Sequence, residues 1–429
     1  MDLRIKIADS PMSGYQWLVV SLAVLLNILD GFDVLAIAFT AKSISNELNL
    51  QATHIGTLMS AGFIGMALGS FFLSPFADKF GRRPLLIIST ALAALGMLMT
   101  YFCSSLESIA FWRIVTGVGV GGILPCTNVI VSEYANKKWR GLAIAIYAAG
   151  FGIGATLGGM SAILLQETYG WRSVFLTGAI LTGLALSAII IFLPESVDYL
   201  LSKRPKNALQ TLNKIAIKIN KPGEWHLISE TPPQQKVSVL RLFERDNIKT
   251  TLLIWLSFIG VMSSFYFVSS WTPALLESTG MSKTHSQSVG MAISLGGTVG
   301  SLIFGFIVSR WSAKSTLILF TLLSALAVML FVHSSALSVA LGLAILVGAL
   351  MNGCITGLYT INPTLYDADY RSTGVGTAIG IGRLGSILSP FLAGNLLQIG
   401  WTKENLYFTT AFIMLAVSFT LFLLQPKNN

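Results

Sequence analysis

Apolar residues along this chain fall into long, unbroken runs separated by short polar stretches, with no sustained two-residue alternation. A helix that crosses a membrane needs about 20 mostly apolar residues, and a membrane barrel strand would alternate. Twelve runs reach that length, at roughly 17–41, 52–76, 84–104, 107–131, 141–165, 172–194, 249–273, 286–309, 315–333, 337–361, 373–397 and 404–425. The pattern predicts an all-α integral membrane protein with twelve transmembrane helices, numbered here as spans 1 to 12. The polar start, Met1 to Gln16, leads straight into span 1 with no cleavage pattern, so that run reads as a span and not as a removed signal.

The polar stretches set the orientation. With both termini in the cytoplasm, inner segments hold 22 of the 28 Lys and Arg residues, the outer side holds Lys42, Arg172, Lys283 and Lys403, and Arg113 and Arg383 lie inside spans. Such a bias fixes topology. The longest polar stretch divides the chain into an N-terminal six-helix bundle (1–194), a cytoplasmic linker (195–248) and a C-terminal six-helix bundle (249–429). Within the linker, Ala208, Leu209, Leu212, Ile215, Ala216 and Ile219 recur at helical spacing, which predicts an amphipathic helix on the inner leaflet or in the linker's own solvated surface.

A repeat supports the division. A shift of 231 residues carries Gly65, Gly69, Gly117, Gly122 and Gly154 onto Gly296, Gly300, Gly348, Gly353 and Gly385, and Arg140 onto Arg371. Two pseudo-symmetric six-helix bundles follow, with a binding site expected between them near the bilayer midplane. The shared glycines read as close helix crossings.

Composition agrees and narrows the function. Charged residues make up 11% of the 429, against about 25% in soluble proteins, and mean hydropathy is +0.71. That excludes a soluble enzyme, a disordered chain and a DNA-binding domain. The net charge of +9 is not gathered into a nucleic-acid patch. Cys103, Cys126 and Cys354 lie in apolar runs and match no disulfide or metal spacing. The four histidines are scattered, so no metal or cofactor is expected.

Ionisable groups in hydrocarbon are costly and mark function by default. Asp30 and Asp33 form a polar stripe with Asn27 on span 1, Arg113 lies in span 4 and Arg383 in span 11. Under the 231-residue shift the two acids meet Val261 and Ser264, and Arg383 meets Gly152. The halves therefore divide the work: protonatable acids in one, an anion receptor in the other. The acids either carry protons or brace the scaffold by pairing with Arg113 or Arg383. The planar guanidinium of Arg383 suits a carboxylate ligand, and Arg113 is a second candidate. Asn352, Thr356 and Tyr359 share a face of span 10, and span 7 offers Phe265, Tyr266 and Trp271 for stacking on a flat ligand.

Several motifs resemble those of a known family. Ala77-Asp78-Lys79-Phe80-Gly81-Arg82-Arg83-Pro84, between spans 2 and 3, resembles the signature loop of the major facilitator superfamily, with Ser74 at the usual opening glycine. Arg113 to Gly122 resembles that superfamily's fourth-span motif. Asp30-Gly31-Phe32-Asp33 is similar to the span-1 motif of the aromatic acid:proton symporter family. Ser132-Glu133-Tyr134, Gly170-Trp171-Arg172, Leu193-Pro194-Glu195-Ser196 and Gly382-Arg383-Leu384-Gly385 resemble its later landmarks.

The resemblance implies the major facilitator fold and a proton-coupled secondary transporter that imports a small aromatic or related organic carboxylate by alternating access. It implies proton coupling at Asp30 and Asp33, and substrate binding by Arg383, with Arg113, Asn352, Tyr359 and Tyr266 as further candidates. Asp78, Arg82, Arg83, Glu133, Arg140 and Arg371 are expected in the cytoplasmic gate. The expected setting is a bacterial inner membrane, as a multi-pass monomer with no nucleic-acid partner, feeding aromatic catabolism. The rival is a proton-driven drug exporter of the same fold. Exporters carry a proline in a glycine-rich span 5 motif, where this chain has Ala155 among Gly150, Gly154, Gly158 and Gly159.

Overall fold

The computed structural model describes residues 3–221, 242–244, 247–334, 336–366 and 371–424, without the side chains of Ser74, Pro75, Asp78, Arg371 and Ser372. In hydrocarbon a backbone must satisfy its own N–H and C=O groups, which an α-helix does within one segment. The first half runs α1 (Leu3–Asp9), α2 (Gly14–Leu48), α3 (Ala52–Phe72), α4 (Ser74–Phe80), α5 (Arg82–Tyr101), α6 (Leu106–Tyr134), α7 (Arg140–Tyr169) and α8 (Arg172–Phe192). The linker holds α9 (Val197–Lys203) and α10 (Ala208–Lys218). The second half runs α11 (Ile248–Ser278), α12 (Lys283–Val308), α13 (Ala313–Val332), α14 (Leu337–Ile361), α15 (Arg371–Gln398) and α16 (Lys403–Leu423).

Twelve of these helices, α2, α3, α5 to α8 and α11 to α16, are long and apolar enough to cross a membrane. They fall on the twelve runs expected from hydropathy. The main difference is α2, which extends past the apolar run to Leu48. Its polar end is anchored: Glu47 Oε2 accepts from Trp171 Nε1 at 2.7 Å, and Ser43 Oγ donates to Gln166 Oε1 at 2.8 Å. Large apolar side chains such as Phe71, Leu184, Phe306, Phe419 and Phe422 stay exposed, as expected of a surface solvated by lipid. The three cysteines are buried and form no disulfide.

The repeat is visible atom by atom. A Cβ on Gly65 would strike the carbonyl of Ile114, and one on Gly296 would strike that of Ile345. The same shift that relates the glycines relates the carbonyls they touch. Gly69 lies on Val118 and Gly300 on Ala349; Gly154 lies on Ile28 and Gly385 on Ile259. Thus α3 crosses α6 as α12 crosses α14, and α2 crosses α7 as α11 crosses α15. Only glycine lets the backbones approach this closely. Gly31, the second residue of the span-1 motif, is one of these seams: a side chain there would strike the Phe151 carbonyl.

By contact the chain forms two compact units whose boundaries cut through spans. One contains most of the first half. In the other, Leu35–Phe63 and Ala155–Trp171 group with the second half. In the first unit, Leu212, Ile215, Ala216 and Ile219 of the linker helix share a core with Leu3, Ile7, Ile130 and Tyr134. The apolar stripe of α10 is therefore largely covered by protein, with Leu209 left exposed. Buried Lys221, just past α10, donates to Gln16 Oε1 at 3.3 Å, and Gln16 Nε2 donates to the Tyr134 carbonyl at 2.7 Å. Burial pushes the Lys221 ammonium down, aided by the nearby charge of Lys6.

The seams predict a contrast between two glycines. Gly154→Val should destabilise the protein by about 1–3 kcal/mol through overpacking, whereas Gly183→Val, with open space at its Cβ, should leave the melting temperature of purified protein unchanged.

Candidate functional site

In the first unit, Asp30 and Asp33 project from the middle of α2 and are 3% and 4% exposed. Arg113, on α6 and 2% exposed, forms an ion pair with Asp33. Its Nη2 also donates to the Asp33 backbone carbonyl at 3.2 Å, and its guanidinium lies 5.9 Å from the Phe175 ring centre. Buried this deeply, neither charge is tolerable without the other. Arg113, a candidate ligand for substrate, is thus occupied by Asp33.

Asp30 lies one turn away in a different environment. Its charge acts on Tyr147 of α7, whose hydroxyl shares a 2.8 Å hydrogen bond with Thr127 of α6. Asn27 Nδ2 donates to the Tyr147 carbonyl at 2.5 Å. Tyr147 and Thr127 escaped the sequence reading. The available signal was spacing: Tyr147 stands seven residues before Gly154, on the face that glycine turns toward α2.

The second unit holds Arg383 on α15. Among the described residues its guanidinium makes no ion pair or hydrogen bond. Its charge acts on the hydroxyl of Tyr359 on α14. Tyr359 packs edge-on against Phe258 of α11, with ring centres 5.8 Å apart. Phe258 also lies against Gly382, where a Cβ would stand 3.1 Å from it. The phenol of Tyr359 thus lies in the field of the Arg383 cation and against the ring of Phe258, which the sequence pattern does not mark.

The other candidates fall elsewhere. Asn352 Nδ2 donates to the Gly297 carbonyl at 2.9 Å, and Thr356 Oγ1 to Ser301 Oγ at 3.0 Å. Both tie α14 to α12, so the expected polar face of span 10 is divided and only Tyr359 meets Arg383. Tyr266 packs edge-on against Phe63 at 4.6 Å and Phe265 at 5.2 Å.

The signature loop is locked to the start of the linker. Glu195 Oε1 accepts from the backbone N–H groups of Arg82, Arg83 and Ser196 at 2.8, 3.1 and 2.8 Å, covering the N-terminus of α5. Gly81 has φ +106°, and a side chain there would strike Glu195 Oε2. Arg82 pairs with Glu133 and donates to Ser196 Oγ at 2.6 Å; Ser196 Oγ donates to Glu133 Oε2 at 2.7 Å. Arg83 reaches the carbonyls of Leu193 and Ile190 at 2.8 and 2.7 Å. The fold thus joins Arg82, Arg83 and Glu133. Arg140 stands apart, 3.5 Å from the Ala135 carbonyl. The side chains of Asp78 and Arg371 lie outside the described residues. Burial pushes the Glu195 carboxyl up, opposed by its backbone donors and by the Arg83 charge.

At the opposite ends of the spans, within the second unit, the carbonyl of Phe39 accepts from Gln166 Nε2 at 3.1 Å and Gln287 Nε2 at 3.0 Å. This joins α2, α7 and α12. Ser60 Oγ donates to the Ile387 carbonyl at 2.7 Å, and Trp271 Nε1 to that of Pro390 at 3.1 Å. The carbonyls of Ala52 and Pro390 stand 2.6 Å from where side chains on Gly394 and Gly56 would begin. Ends of the first-half helices α2, α3 and α7 are thereby clasped to helices of the second half.

Two repeated bundles carrying sequestered charges and a clasp at one end define a membrane transporter. The sequence pattern of the Major Facilitator Superfamily matches residues 21–300 and 253–429. The chain belongs to that superfamily, whose members are transporters and not enzymes. It is 30% identical to a gallate transporter of Pseudomonas putida, over 93% of this chain and 90% of that protein. It is 29% identical to the 4-hydroxybenzoate transporter PcaK of Acinetobacter baylyi, over 94% and 89%. Its fold is similar to the inward open conformation of the xylose transporter XylE from E. coli, with a TM-score of 0.75 at 16% identity, covering 96% of this chain and 97% of that one.

Two outcomes follow from these contacts. Asp33→Asn should strand the Arg113 cation and destabilise the protein by about 3–5 kcal/mol; thermal unfolding should show Asp33→Asn combined with Arg113→Met to be less damaging than Asp33→Asn alone. Glu195→Ala should cost about 1–3 kcal/mol by leaving buried donors unmet, while Glu195→Gln keeps an acceptor. Because the carboxyl of Glu195 is raised in the folded state, its stability contribution is full below its ordinary 4.5 and is lost as pH rises through the raised value. Melting temperatures measured across that window should show this slope in the native protein and lose it in Glu195→Gln.

Proposed function

We propose that this chain is a proton-coupled importer of a small aromatic carboxylate in a bacterial inner membrane, with both termini cytoplasmic and working by alternating access as a monomer. The observation that carries the reading is Arg383, a cation in a membrane span with no ionic partner among the described residues, whose charge acts on the hydroxyl of Tyr359, a ring packed in turn on Phe258. A guanidinium in that position calls for an anion, and the neighbouring rings favour a flat one. Relatives named for gallate and 4-hydroxybenzoate supply such ligands.

In this reading Arg383 holds the carboxylate and Tyr359 donates to it. Asp30 takes the proton, because Asp33 is already neutralised by Arg113. Protonation removes the cost of holding a carboxylate in a closing, water-poor site, and the less acidic cytoplasm takes the proton back. No covalent bond in the cargo changes. One anion with one proton moves no net charge, so voltage would drive the step only with further protons. The clasp of Phe39, Gln166 and Gln287 is the outer gate in its shut form. The lock of Arg82, Glu133 and Glu195 shapes the inner loop whose sequence carries Asp78. The exporter reading gains no support from α7, which has no proline in its glycine-rich stretch.

Uptake of radiolabelled benzoate, 4-hydroxybenzoate and gallate into proteoliposomes tests this directly. Accumulation should follow an inward proton gradient. Arg383→Gln should lower uptake about 10- to 100-fold, the loss of one charge-assisted hydrogen-bonded contact. Asp30→Asn should abolish gradient-driven accumulation yet retain exchange of labelled for unlabelled acid. Uptake that ignores the gradient, or full gradient-driven accumulation by Asp30→Asn, overturns the coupling scheme.

A further inference from the structure

A cavity of about 330 Å³ opens at the clasped end of the spans. Lys42 and Ser45 reach it from α2, Ile55 from α3, Trp271 and Ser278 from α11, and Leu397 from α15. Its volume falls in the range of small-ligand pockets. Its walls combine an ammonium, an indole, two hydroxyls and apolar side chains, the same chemistry that Arg383 and its aromatic neighbours offer, built from different residues. Lys42 brings a cation to the wall, and the nearby carboxylate of Glu277 shares its field with Lys42 and Lys283.

We propose that this cavity is an outer, inhibitory site for the same class of aromatic carboxylate, a proposal that rests on the substrate reading above. Lys42 holds the carboxylate and Trp271 supplies an aromatic wall. The regulatory consequence follows from which helices form the cavity. Two of its walls, α2 and α3, belong to the first half of the chain, and two, α11 and α15, to the second. The helices are held together by the bonds from Ser60 to Ile387 and from Trp271 to Pro390, and Trp271 is both wall and clasp. The cavity is complete only while this end is shut. A ligand that binds one of two conformations shifts the population toward it. Occupancy therefore holds the outer gate closed and slows uptake when external acid is abundant.

The test measures initial uptake against external 4-hydroxybenzoate, benzoate and gallate over a wide concentration range, and compares the rate at the highest concentration with the maximum within each variant. The native protein should pass through a maximum and then fall about two-fold, as occupancy of a site on the shut form reaches one half. Lys42→Gln and Ala274→Phe, the second of which fills the cavity, should rise to a plateau with no fall. In parallel, ligand-observed NMR on purified Arg383→Gln protein should detect weak binding of the same acids that disappears on adding Lys42→Gln. A fall that persists in both cavity variants, no fall in the native protein, or Arg383→Gln binding that is absent or indifferent to Lys42 overturns the outer site and leaves the transport reading standing. Absence of uptake and binding of all three acids by the native protein overturns both.

Discussion

A charge placed in hydrocarbon has to be met, and the way each is met organises this protein. Asp33 and Arg113 meet each other and become one neutral, buried unit between α2 and α6. Glu133, Arg82 and Ser196 close a similar account at the rim. Arg383, inside a span, has no ionic partner among the described residues, and its charge acts on the Tyr359 hydroxyl. The energetics that make the first two arrangements structural are what the proposed receptor role of Arg383 rests on: in that proposal a movable anion meets the third charge.

The same logic separates two carboxylates that look equivalent in sequence. Asp30 and Asp33 lie three residues apart on one helix and share a face. Asp33 falls opposite the guanidinium of α6, while Asp30 falls opposite a hydroxyl-bearing seam where Tyr147 and Thr127 are bonded to each other. One acid is paired with a cation. The other sits among groups able to serve either protonation state, since a hydroxyl can donate to a carboxylate or accept from a carboxylic acid.

Hydropathy was enough to read the helices and their number, because unbroken apolar runs of this length can satisfy their backbone in lipid as helices and lack the alternation of a barrel strand. The 231-residue shift identified the glycines, though not the carbonyls they touch. The site was half legible. Asp30, Asp33, Arg113 and Arg383 stand out because they are charges in apolar runs. Phe258, Tyr147 and Glu195 do not, since an aromatic residue in a span or a glutamate at its end is ordinary composition until a neighbour is known. Asn352 shows the converse: its amide is polar enough to suggest a ligand, and the fold also has it donate to a glycine carbonyl on α12, which the sequence does not tell. The amphipathic stripe of α10 likewise predicts a buried face but not what buries it, and here α1 and the bundle take the place of lipid.

The matched glycine seams also speak to ancestry. When two copies of one six-helix unit are joined, the residues most resistant to drift are those where a single methyl group would force backbones apart. Gly65 and Gly296, each seated on the corresponding carbonyl, are such fossils. Side chains pointing away from the seams carried no such constraint, so one copy could acquire acids while the other acquired a lone cation. The unequal chemistry of the two halves is thus a product of their equal skeletons: duplication preserved the joints and left the rest free to specialise.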